Sequence, residues 1–95
     1  MKNDNILPIQ YSLSQNFPNP FNPITEINYR LPVSGFVTIS VYDVLGREVL
    51  TLINEKKEAG KHSLRWDATT FASGVYFYQL RSGNFVDIKK MILLK

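Results

Sequence analysis

The chain has 95 residues, which gives room for one small domain and one core. It holds no cysteine and a single histidine, so disulfide frameworks, thiolate nucleophiles, cysteine-ligated metals and His-pair metal sites are excluded. The net charge of +3 is uneven: residues 1–53 carry three basic and four acidic groups, and residues 54–95 carry eight and four. A basic carboxy-terminal part of this size suits an anionic partner and equally keeps a small domain soluble.

The opening MKNDNILPIQ has one lysine and no apolar stretch of a secretory signal peptide. The expectation is therefore either a chain that stays where it is made or a piece of a larger precursor that carries its own signal. No apolar run approaches the roughly 20 residues of a membrane span. Residues 1–13 read as a flexible lead and 14–95 as the domain. In NFPNPFNP, residues 16–23, three prolines fix φ and withhold N–H donors, so the segment is expected as polyproline-like chain along a sheet edge, anchored by Phe17 and Phe21.

From Ile24 onward the apolar residues recur at a spacing of two, the strand period. Ile27, Tyr29 and Leu31 alternate with Asn28 and Arg30, and Pro32 ends that strand. Val37, Ile39 and Val41 make a second strand, expected to pair with the first through Pro32 to Gly35. Asp43 to Gly46 forms a turn in which aspartate bonds backbone N–H groups and glycine takes positive φ. A strand through Val49 to Ile53 follows, then a polar turn from Asn54 to Gly60. His62, Leu64 and Trp66 share one face of the next strand, with Trp66 expected in the core. Val75 to Leu80 is an aromatic strand, Ser82 to Asn84 a tight turn, and Phe85 to Leu94 the closing strand. About six or seven short antiparallel strands with frequent turn signals predict an all-β, immunoglobulin-like β-sandwich.

Candidate chemistry is sparse. Asp43, Asp67 and Asp87 stand where aspartate usually caps backbone N–H groups, which argues against a paired-carboxylate site. The five glycines are isolated at turns, so no loop cradles a phosphate. The aromatic content lacks the signature of a nucleic-acid platform. Stacking of a sugar on Trp66, Tyr42 or Phe77 is a rival function, as an accessory module. The closing DIKKMILLK combines Lys89, Lys90 and Lys95 with Ile92 and Leu94. It suits either an edge strand blunted by lysines or a handle for a protein partner.

NFPNPFNPITEINYRLP, GFVTISVYDVLGREVLTL, AGKHSLRWDA, FASGVYFYQL and KKMILLK, in that order, resemble the carboxy-terminal sorting domain, type A, of the type IX (Por) secretion system. The flagellar hook-cap immunoglobulin-like modules share part of this pattern. The resemblance implies a non-catalytic signal, without cofactor or metal, at the end of a larger precursor that passes the periplasm and ends at the cell surface or secreted. It implies the type IX translocon, a sortase-like cysteine peptidase that removes the domain, and an amino-terminal cargo domain as partners. Its motifs fall on Pro18, Asn19, Pro20, Asp43, Gly46, Gly74 and Tyr76, and on Lys89, Lys90 and Lys95. These lysines with Ile92 and Leu94 are the expected translocon contacts.

Overall fold

The computed structural model describes residues 10–95. Seven strands follow in order: β1 (Ser12–Leu13), β2 (Ile24–Leu31), β3 (Gly35–Tyr42), β4 (Glu48–Lys57), β5 (Gly60–Asp67), β6 (Gly74–Ser82) and β7 (Phe85–Leu93). They form a three-stranded sheet ordered β1-β2-β5 and a four-stranded sheet ordered β4-β3-β6-β7. Every strand pair is antiparallel. The fold is the all-β sandwich that the two-residue period predicts. Unlike the constant-type immunoglobulin sandwich, where the fourth strand extends the first sheet, β4 here lies beside β3.

The core lies between the sheets and takes one face of each strand. Ile27, Tyr29 and Leu31 of β2 meet Val37, Ile39 and Val41 of β3, with Tyr76, Tyr78 and Leu80 of β6 and Met91 and Leu93 of β7. Each inward position is two residues from the next, because successive side chains of a strand point to opposite faces.

Several expectations are corrected. β2 and β3 do not pair: Pro32 to Ser34 carry the chain from one sheet to the other, so their apolar faces oppose each other across the core. β4 runs on to Lys57, and the turn before β5 shrinks to Glu58 and Ala59, because Asn54 and Lys56 find partners in Thr38 and Phe36. Residues before 14 also pack on the sandwich. Leu13 of β1 is in the core opposite Tyr29, and Tyr11 stacks on Phe85 with ring centroids 4.8 Å apart. Of the expected lead, residues 1–9 lie outside the described residues.

The proline-rich segment is a string of bends between two isolated bridges, Phe17 with Glu26 and Phe21 with Leu93, and not a polyproline-like run. Its three X-Pro bonds are cis. Phe21 anchors it in the core at 2% exposure, but Phe17 is 77% exposed and holds on by backbone bonds to Glu26 alone.

Candidate functional site

β7 closes the four-stranded sheet, and its register with β6 is unbroken from Gly74–Leu93 to Ser82–Phe85. Alternation sorts its side chains. Met91 and Leu93 point into the core, while Val86, Ile88, Lys90 and Ile92 stand on the outer face beside Arg81, Gln79, Phe77 and Val75 of β6. The five expected contact residues therefore separate. Lys90 and Ile92 share the outer face, and Leu94, 55% exposed, follows them just past the strand end. Lys89 sits opposite Tyr78 on the core-facing side, half-buried at the rim, where an inward-pointing charge discourages edge-to-edge pairing. Lys95 is tied down: its ammonium donates to the carbonyl oxygens of Thr69 and Phe71 at 2.5 and 2.8 Å, and its N–H donates to Ser73 Oγ at 3.0 Å.

The outer edge of β7 is covered by residues 15–21, so the proline-rich segment does run along a sheet edge as its prolines predict, while sequence patterning did not say which edge. Gln15 Nε2 donates to the Lys90 carbonyl at 2.6 Å, and the Ile92 N–H donates to Asn19 Oδ1 at 2.9 Å. Phe21 N–H donates to the Ile92 carbonyl and Leu94 N–H to the Phe21 carbonyl, each at 2.9 Å. A buried polar knot holds the cover to the fold. Asn16 Nδ2 donates to Thr25 Oγ1 at 2.9 Å and to the Pro18 carbonyl at 3.1 Å, and Thr25 Oγ1 donates to the same carbonyl at 2.9 Å. Asparagine beside proline reads as turn chemistry in a sequence. Nothing local says that its amide will serve a strand some 70 residues away.

Beside this face, Tyr42, Val44, Phe77 and Ile88 wall a shallow groove of about 530 Å³ whose polar side is Gln79 and Arg81. Tyr42 Oη donates to Gln79 Oε1 at 3.3 Å. Trp66 lies elsewhere, at 4% exposure among Phe21, Phe71 and Tyr76, so it offers no platform to a sugar.

The titratable groups behave structurally. Asp43 Oδ1 accepts the Leu45 and Arg47 N–H groups at 2.9 and 3.0 Å, and Oδ2 accepts Arg47 Nε at 2.8 Å. The Arg47 backbone bond leads in holding this carboxyl below its usual range. Asp67 is lowered chiefly by the Thr69 hydroxyl, and Asp87 caps the Ile88 N–H at 2.9 Å. His62 packs on Tyr29 with its ring 5.3 Å away, and its Nε2 lies 2.7 Å from the Glu58 carbonyl oxygen. Burial pushes the Tyr78 hydroxyl up to about 12, and that hydroxyl donates to the Ser14 carbonyl at 2.6 Å, joining the two sheets. Among the described residues no group of three or more histidine or acidic side chains is placed to hold a metal.

Residues 15–94 match the family model described as the secretion system C-terminal sorting domain. The chain belongs to that family. Sorting domains of this kind are non-catalytic signals for type IX secretion, and the chain is such a signal. A signal of this kind implies association with the type IX machinery and export to the cell surface or secretion as part of a larger precursor. Among curated proteins none matches the chain. Among solved structures, the crystal structure of dimeric latent PorU from Porphyromonas gingivalis is similar at a TM-score of 0.67 and 23% identity. The match covers 96% of this chain and 10% of the PorU chain, and at that identity it speaks to the fold.

In the sorting domain most of the motif positions are architectural. Gly46, at φ 82°, closes the turn that Asp43 organises, with its N–H donating to the Asp43 carbonyl at 3.0 Å. Gly74 opens β6, and the Tyr76 hydroxyl two residues on donates back to the Ala72 carbonyl at 2.6 Å. Pro18 supplies the carbonyl of the polar knot, and Asn19 bonds β7.

Proposed function

We propose that the outer-membrane translocon of type IX secretion recognises the sorting domain on the outer face of β7, through Lys90, Ile92 and Leu94. The observation that carries this is their common outer face: exposed Lys90 and half-buried Ile92 on the regular strand β7 beside Phe77, with exposed Leu94 just past its end. Among the described residues the ion pairs are Asp43–Arg47 and Glu55–Lys57, neither of which involves Lys90 or Arg81. Lys89 and Lys95 act indirectly, the first by keeping the rim from pairing and the second by fixing the end of the chain.

In this proposal the precursor carries an amino-terminal cargo through the periplasm, and a PorU-like cysteine peptidase then removes the domain. The scissile bond lies before Tyr11. A peptidase needs extended chain, and the bonds from Tyr11 to Phe17 are tied into β1, the polar knot and the Phe17–Glu26 bridge. A second reading, a sugar-binding accessory module, draws on the groove of Tyr42 and Phe77. Glycan binding abolished in Phe77→Ala would favour it.

The test is a secreted reporter with a periplasmic signal peptide, ending in the whole chain, in a host with a working type IX pathway. The unaltered fusion is expected outside the cell. Lys90→Glu with Ile92→Asp is expected to remain periplasmic while resisting protease as a folded domain. Equal export of the two fusions would show that this face is not what the machinery reads.

A further inference from the structure

A strand at the end of a sheet points alternate N–H and C=O groups outward, and such a row is a template for a strand from another chain. On the carboxy-terminal half of β7 the outward groups belong to Lys90, Ile92 and Leu94. The Lys90 carbonyl, the Ile92 N–H and carbonyl, and the Leu94 N–H are occupied in cis by Gln15, Asn19 and Phe21. The occupying segment creates no new edge, because Pro18 and Pro20 have no N–H to offer beyond it. It is held from below by the buried Phe21 ring against Trp66, with centroids 5.7 Å apart, and by the buried Asn16–Thr25 knot. Nearer the start of the strand, Asp87 caps the outward Ile88 N–H.

We propose that residues 15–21 are a built-in edge cover: it closes the carboxy-terminal part of β7 to strand addition and fixes its register, so that the export machinery must read this part of the strand by its outer face. Asn19 and Phe21 are thus positioning residues that act through β7 and touch no partner themselves. The inference rests on the outer-face recognition proposed above.

Asn19→Ala removes the acceptor of the Ile92 N–H, and Asn19→Asp keeps an oxygen in its place. In Asn19→Ala the Ile92 and Leu94 amides are expected to exchange hydrogen about tenfold faster or more, while those of Tyr78 and Leu80 keep their protection. Export of the whole-chain reporter is expected to fall in Asn19→Ala and to recover in Asn19→Asp. A domain that merely lost stability would speed exchange in the core as well and would not separate the two variants.

Unchanged exchange at Ile92 in Asn19→Ala would overturn the positioning role, and so would wild-type export with Ile92 exposed. Equal defects in the alanine and aspartate variants would show that the acceptor is not what matters. If Asn19→Ala does not fold, Gln15→Ala, which frees the Lys90 carbonyl from an exposed bond, is expected to reduce export in the folded domain. Undiminished export of that variant would also overturn the inference. Normal export of Lys90→Glu with Ile92→Asp would sink the recognition reading itself. Their retention beside normal export of Asn19→Ala would sink only the edge cover.

Discussion

The two edges of the four-stranded sheet meet the same hazard by different means. β4, at one end, is irregular: its register with β3 shifts between Ile39 and Ser40 and again between Val41 and Tyr42, and its last turns carry Glu55, Lys56 and Lys57. Bulges and charges deter a docking strand at the cost of a bent surface. β7, at the other end, keeps nine consecutive partners with β6 in register, and its edge is protected from outside by the proline-rich cover. A covered strand can stay flat and present side chains at fixed intervals. Under the proposed recognition of β7, the difference teaches that regularity is kept where a face is to be read and given up where nothing need be displayed.

The strongest way to break this contrast is Phe21→Ala, which empties a core position and unseats the cover together. A loss of about 3 to 5 kcal/mol in denaturant unfolding is expected, as for other large-to-small core changes. An unaltered midpoint would mean that the cover is not anchored by that ring.

A pH titration sharpens it next. The Tyr78 hydroxyl, which ties β6 to the start of the cover at Ser14, has its pKa raised by burial to about 12 from an ordinary value near 10. The protonated form is the one the fold prefers, so its contribution is whole below about pH 10 and is lost as pH rises towards 12. That loss amounts to about 2 to 3 kcal/mol. Unfolding followed from about pH 9 to about pH 12 should show an alkaline decline that Tyr78→Phe reduces.

Asn16→Ala opens the polar knot beneath the cover and is expected to cost about 1 to 2 kcal/mol, with Thr25 left to the Pro18 carbonyl alone. Hydrogen exchange should rise at Ile92 before it rises at Ile39. The smallest effect is expected on the charged edge. Lys57→Met removes an exposed ion pair with Glu55 and should leave the unfolding midpoint where it was. A clear shift there would show that β4 depends on its charges for folding as well as for protection.

The alternation of Ile27, Tyr29 and Leu31 and of Val37, Ile39 and Val41 was legible because a strand's inward face is a local property of spacing. So were the capping roles of Asp43, Asp67 and Asp87, which reach only the next few backbone N–H groups. Pairing was not: β2 takes β5 and leaves β3 to the other sheet, and only the global packing of the two faces decides that. Within KKMILLK the lysines look alike in sequence. The register of β7 alone sends Lys89 to the rim and Lys90 outward, and the loop from Thr69 to Ser73 claims Lys95.

By itself the sequence determined an all-β domain with no thiol or His-pair chemistry, its turn positions, its core-facing residues and the motifs of a sorting signal, because composition and two-residue periodicity act over short spans of chain. The tertiary structure decided which strands are neighbours, which of five candidate contacts remain on one face, and that Asn19 and Phe21 close the edge of a strand near the other end of the sequence. Those are long-range facts. They depend on the Phe21 ring finding Trp66 and on asparagine and backbone groups finding donors and acceptors far along the chain, and no local pattern encodes such meetings.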